Sequence, residues 1–265
     1  MAINKPVGSI TRGTTNPNRL RRIDRYLTQL DILKSMSEPL VVDLGYGALP
    51  TTTIELMHRL RKVNPRVQVV GIEIDPERVS QAKPMEEAGL DFCLGGFEMP
   101  LPNRFPKGKN VDLVRALNVL RQYEESEVRA SWALMQKNLS AEGRIIEGTS
   151  DEIGRLSSWV TLDRNNPLTF TISLRLQGLD KPSKVAERLP KILIHKNVPG
   201  EKIHEFLSAL DLAWAKNSSL SSFGSTQRFE ATIRELISNG WPIHNQPKRW
   251  RLGEVTIGWE AVAPN

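Results

Sequence analysis

Cysteine is almost absent from this chain, with Cys93 the single example in 265 residues. One thiol cannot form an intrachain disulfide framework or build a metal site alone. Histidine is scarce too: His58, His195, His204 and His244 form neither an HExxH pair nor a Cys/His cluster, so no metal is expected. No apolar run reaches the roughly 18 residues that suggest a bilayer span. The N-terminal stretch MAINKPVGSITRGTTNPNRL also lacks the apolar segment of a secretory signal. The expectation is a soluble, cytoplasmic protein without a membrane partner.

Acidic residues are thin at the start of the chain. Up to Leu30, Lys5, Arg12, Arg19, Arg21, Arg22 and Arg25 face Asp24 alone, within a chain of net charge +6. Such a segment can follow a phosphate backbone. Few aromatics interleave with it, however, and no zinc-finger, KH or RNP pattern accompanies it. A solvated helix face is the competing reading.

Elsewhere the composition is that of a folded protein, 39% hydrophobic and 25% charged, which suffices for a large core. Residues 6–17 read as an irregular arm, and only the first dozen residues have a composition that suggests disorder. Asn16 or Asn18 is expected to cap a helix through RLRRIDRYLTQLDILKSM, where Leu20, Ile23, Leu27 and Leu30 recur at helical spacing. Strands are expected at 40–44, 67–74, 91–94, 111–117 and 143–149. Helices are expected between most of them, with Pro84 interrupting one. That alternation predicts a doubly wound α/β fold with a mostly parallel, Rossmann-like sheet, whose ligand loops gather at the carboxyl ends of the strands. Beyond Thr149, SSWVTL and LTFTISLRL predict an antiparallel pair, followed by helical stretches and a last strand in WRLGEVTIGWEAV. Residues 1–38 are thus a basic arm and helix, and 39–155 the cofactor-binding core. Residues 156–265 are edge strands and helices completing the same domain.

The sharpest motif is VVDLGYGALP, residues 41–50. Asp43 ends a strand, and Gly45 and Gly47 permit a tight turn close to a ligand. Pro50 stands where a dinucleotide fingerprint needs its third glycine, and no Gly-Lys-Ser/Thr follows, so neither that fingerprint nor a Walker loop fits. Glu73 ends the next strand, where a carboxylate can accept hydrogen bonds from two ribose hydroxyls. Asp75 has the same chemistry, but before Pro76 it reads better as a helix-start residue.

VVDLGYG, GIEIDP, GGFEMPLP and DLVRALNVLRQY, in this order, resemble the successive cofactor motifs of class I S-adenosylmethionine-dependent methyltransferases. The resemblance covers residues 40–149 and is strongest at the first two motifs. It implies S-adenosyl-L-methionine as cofactor. Gly45 and Gly47 would then border its methionine and ribose part, and Asp43 would organise the turn. Glu73 would hold the ribose and Ile74 would lie against the adenine. Gly96 and Phe97 would sit at the adenine edge, with Asn118 facing the methionine part. Many members carry an Asp at the end of the third strand for the adenine amino group. Here Gly95-Gly96 occupies that stretch, leaving backbone groups or Glu98 to read the base.

Methyl transfer is a direct displacement in which alignment supplies much of the effect. A base is needed only when the acceptor arrives protonated. Asn118, Tyr123 and Glu147 are the candidate catalytic residues, and Glu147 alternatively is a buried partner. Arg115 is out of place in an apolar strand. It requires a carboxylate partner such as Asp43 or Glu147, or a ligand anion. His195 and His204 read as ordinary surface or packing residues and Cys93 as a small buried one; Trp132, Trp214 and Trp259 read as core, whereas Trp241 and Trp250 are candidates for a substrate mouth. Three functions remain: a methyltransferase for a small or medium-sized acceptor, an RNA methyltransferase using the N-terminal arginines with Arg104, Lys107 and Lys109, and a noncatalytic binding module.

Overall fold

A computed structural model describes residues 6–244 and 246–265. Lys5, counted above with the basic segment, lies outside them. Among the described residues the strands form one sheet in the order β3-β2-β1-β4-β5-β6-β7-β8. They are β1 Leu40–Leu44, β2 Gln68–Glu73, β3 Leu90–Leu94, β4 Val111–Leu117, β5 Leu139–Ser150, β6 Leu156–Leu162, β7 Pro167–Leu174 and β8 Glu254–Gly258. The predicted strands are all present, and β5 is several residues longer than expected.

The chain divides into two compact units, the boundary falling within β5 at Glu147. In the first, β1 runs parallel to both β2 and β4, and β2 parallel to β3. Every residue of β1 and β4 is buried, as expected of parallel strands covered on both faces. This Rossmann-like half contains α1 Arg21–Leu27, α2 Asp31–Ser35, α3 Thr51–Leu60, α4 Pro76–Ala82 and α5 Glu125–Gln136. The connection from β1 to β2 includes α3, and that from β2 to β3 includes α4. Both are crossovers of the kind parallel neighbours require.

The second unit holds most of the later strands together with α6 Lys191–Ile194, α7 Lys202–Lys216, α8 Ser225–Ser238 and α9 Pro247–Trp250. The predicted last strand, β8, pairs antiparallel with β7, a partner the sequence did not identify. The connections β5–β6 and β6–β7 are too short for a crossover, so these strands are hairpins. The sheet is therefore parallel through β3-β2-β1-β4 and antiparallel at its other end.

Four expectations need correcting. The single N-terminal helix is two, because the turn after Leu27 tightens through Gln29 N–H to Tyr26 O and Leu30 N–H to Leu27 O, and Leu30 is extended. Neither Asn16 nor Asn18 caps it: the cap position is Leu20, without a side-chain bond, and Asn18 adopts φ 60° with its N–H donated to Glu55. Cys93 is half-buried, not buried, although burial still pushes its thiol up to about 11. Trp250 is 4% exposed and belongs to the core, while Trp241 rests against Phe206 with ring centroids 5.4 Å apart. Pro84 ends α4 as expected, in a short 3-10 turn over Lys83–Met85. Trp132, Trp214 and Trp259 are buried.

Candidate functional site

The site begins at the carboxyl ends of β1 and β2. Gly45 and Gly47 hold φ values of 69° and 89°, a left-handed region that costs a side-chain-bearing residue more than glycine. Gly45 N–H donates to Ile72 O at 2.7 Å, tying the turn to the neighbouring strand. Pro50 then occupies the cap position of α3, its carbonyl accepting from Thr53 and Ile54 at 3.0 Å.

Glu73, 1% exposed, reaches back to this turn. Its Oε2 accepts from Gly47 N–H at 2.9 Å, and its Oε1 from Ile74 N–H at 3.0 Å and Asp75 N–H at 3.3 Å. Arg78 Nη1 lies 3.5 Å from Oε1. Asp75 has the other role read from the sequence: it caps α4, accepting from Glu77 N–H at 2.9 Å and Arg78 N–H at 3.4 Å. The carboxylate and the glycine turn are thus direct neighbours.

Asp43, beneath the turn, has other partners. It accepts from Thr53 Oγ1 at 2.6 Å and from Arg115 Nε and Nη2 at 2.8 and 2.7 Å. Arg115 is fully buried, also pairs with Asp24 on α1, and donates to Thr52 O at 3.0 Å. Arg59 joins from α3 at 2.5 Å from Asp24. Burial alone would lower the Arg115 pKa, but Asp43 and Asp24 beside it overcome that and hold it above the ordinary value. Of the partners considered for Arg115, Asp43 is present; Asp24 was missed. Its signal was a carboxylate on the same face as Leu20, Ile23 and Leu27.

Further round, Glu98 Oε1 accepts from Gly96 N–H at 2.9 Å, closing the loop after β3. Phe97 meets the Tyr123 ring edge-on at 5.4 Å between centroids. Asn118, at φ 65°, directly follows β4. Tyr123 Oη accepts from Ser9 N–H at 2.6 Å and donates to Ser9 O at 3.2 Å, and burial raises its pKa. Gly45, Glu73, Ile74, Gly96, Phe97 and Tyr123 line one cavity. Asp43, Gly47, Asn118 and Glu147 are not among its lining residues. Glu147 is fully buried, accepts from Trp132 Nε1 at 3.3 Å, and is pushed up to about 8 by burial.

Sequence reasoning also missed what lies across these residues. Residues 7–13, read as an irregular arm, are bound along the strand ends, and the free space left is about 20 Å³. That admits a water molecule and little more. The strand-end groups suit a nucleoside: a buried carboxylate beside a glycine turn for the ribose, and backbone N–H groups with Glu98 for a base. The volume does not suit one while the arm is in place.

The basic residues are partly committed within the chain. Arg19 Nη1 donates to Thr14 O at 2.5 Å, Arg22 Nε to Gly154 O at 3.0 Å, and Arg104 Nε to Asp91 at 2.8 Å. Among the described residues no His, Cys, Asp and Glu group could hold a metal ion, and no helix is long and apolar enough to cross a membrane.

No family model and no curated protein matches the chain. Solved structures match in part. One is the CMeT domain of citrinin polyketide synthase, at 16% identity and TM-score 0.40 over 49% of this chain and 34% of that one. A second is human N-acetylserotonin methyltransferase in complex with SAM, at 24% identity and TM-score 0.36 over 47% and 33%. A third is the N-methyltransferase NodS from Bradyrhizobium japonicum WM9, at 17% and 0.32 over 48% and 68%. The chain spans about a third of the length of the first two. Likeness this distant establishes no shared activity.

Proposed function

We propose that this protein is an S-adenosylmethionine-dependent methyltransferase for a small or medium-sized acceptor. One observation supports the reading above the others: Glu73, a buried carboxylate ending β2, lies 2.9 Å from the amide of Gly47 in the turn ending β1. A carboxylate there can exchange its backbone donors for vicinal ribose hydroxyls, and the turn can receive the methionine part. Gly45, Gly47 and Asp43 shape that end, Asn118 faces it, and Ile74, Gly96 and Phe97 border the adenine. The cofactor, when bound, supplies a methyl group on a sulfonium that departs as a neutral thioether.

The remaining work falls to the chain. Its loops must align the acceptor with the methyl carbon and exclude water. Tyr123 is the candidate catalytic residue nearest the cavity, suited to orienting an acceptor. Asn118 is suited to the same task, and Glu147 suits proton handling only if an acceptor reaches its buried oxygen. The chain's single cysteine suits a reducing compartment such as the cytoplasm.

The test is transfer of a radiolabelled methyl group from the cofactor to a panel of small amines, alcohols and carboxylates. Label should move with the intact chain and be lost in Glu73→Ala. Label appearing only in RNA would replace the acceptor class, and binding without transfer to either would leave a ligand-binding module.

A further inference from the structure

Residues 7–13 visit the three parts of the site in order. Val7 N–H donates to Glu98 Oε2 at 2.9 Å, and Val7 O accepts from Phe97 N–H at 3.0 Å. Thr11 O accepts from Arg78 Nη2 at 2.9 Å, beside Glu73. Gly13 O accepts from Ala48 N–H at 2.8 Å, at the glycine turn. Ser9 is held between by Tyr123, and Arg12 N–H donates to Gln122 Oε1 at 3.1 Å. The approach is close enough that a Cβ on Gly96 would collide with the Val7 carbonyl, and one on Gly47 would lie 2.7 Å from Gly13 O.

The pair of bonds at Val7 has a specific chemistry. A peptide group offers one N–H donor and one carbonyl acceptor. Adenine offers an amino donor next to a ring-nitrogen acceptor. Glu98, acceptor only when ionised, and the Phe97 amide, donor only, would satisfy either one but not both together.

From this we infer that residues 7–13 are a built-in competitor for the nucleoside site, with the Val7 peptide group standing where an adenine edge binds. The inference rests on the nucleoside reading of the site. Cofactor entry requires the strap to leave Glu98, Phe97, Arg78 and Ala48. The Glu98 carboxylate, now shared between Gly96 and Val7, then becomes the acceptor for the base amino group. This also accounts for the missing Asp after β3: the carboxylate is supplied from Glu98, two residues past Gly96. Affinity for the cofactor is set by exchange of one set of hydrogen bonds for another, and any change that loosens the strap raises it.

Two measurements on the full chain test this. Amide hydrogen exchange, followed residue by residue, should find Ser9 and Arg12 protected in the free protein and exchanging at least about tenfold faster with saturating S-adenosylhomocysteine. Val7→Pro removes the N–H given to Glu98 and keeps the carbonyl. By equilibrium dialysis it should bind S-adenosylhomocysteine about tenfold more tightly, the order expected for one hydrogen bond to a charged group. Binding seen only in Val7→Pro would be the same result in stronger form. If the ligand binds while the strap amides stay as protected as before and Val7→Pro gains nothing, the strap is a fixed wall and the inference is overturned, with the site reading intact. If neither protein retains the ligand, the nucleoside reading itself fails and the inference goes with it.

Discussion

Arg115 bridges two buried carboxylates, with Arg59 as the second cation at Asp24. Asp43 and Asp24 come from different elements, and each is buried against the guanidinium. Deleting one partner from such a cluster costs more than the cluster contributes, because the charge left behind stays desolvated. Arg115→Met should therefore destabilise the chain by about 3–5 kcal/mol in urea unfolding; a change below about 1 kcal/mol would mean the carboxylates find other compensation. Glu147 gives a prediction of opposite character. Its carboxyl is raised to about 8 in the folded protein, so between the ordinary carboxylate value and 8 the native state holds a proton that the unfolded chain releases. Stability from this group falls as pH rises through that window and levels off above it. Glu147→Gln, which cannot titrate, should lose this slope. Parallel stability–pH curves for the two proteins would contradict the assignment. At this scale the sequence was informative about residue types out of place: Arg115 in an apolar strand and Glu73 at a strand end. It did not name the partner: Asp24 lies on the apolar face of α1, but its pairing with Arg115 spans 91 positions.

At the scale of elements, periodicity carried the reading. β1 and β4 are buried along their length, β6 and β7 have turn residues between them, and Asp75-Pro76 starts α4 by a local mechanism, a carboxylate accepting the first free N–H groups. Asp75→Ala should cost about 1 kcal/mol with the denaturant slope unchanged; a neutral result would show that Pro76 and packing suffice to start the helix. The N-terminal helices were harder. The stripe of Leu20, Ile23, Leu27 and Leu30 fits one continuous helix, and the break after Leu27 comes from backbone bonding that no side-chain period encodes. The strap was illegible for a related reason. Residues 7–13 are irregular, and their partners are mostly backbone groups and side chains between 48 and 123. An extended segment bound through its own peptide groups leaves no residue pattern to find.

For the whole molecule, part of the cationic surface is held within the chain, since Arg19, Arg22 and Arg104 each bond internally, while Arg21, Lys107 and Lys109 are exposed. A ligand that binds only the folded state raises stability by mass action, about 2.7 kcal/mol at a hundred times its dissociation constant. S-adenosylhomocysteine should therefore raise the unfolding midpoint of the whole chain in a concentration-dependent way, and adenosine alone, lacking the amino-acid part, should do so less. The most direct measurement is calorimetric titration of S-adenosylhomocysteine into the intact protein and into Glu73→Ala. The account predicts one site per chain in the first and a loss of about 1–3 kcal/mol in the second, the value of a charge-assisted contact to the ribose. Equal affinity in both proteins, or no binding to either the intact chain or Val7→Pro, would contradict it.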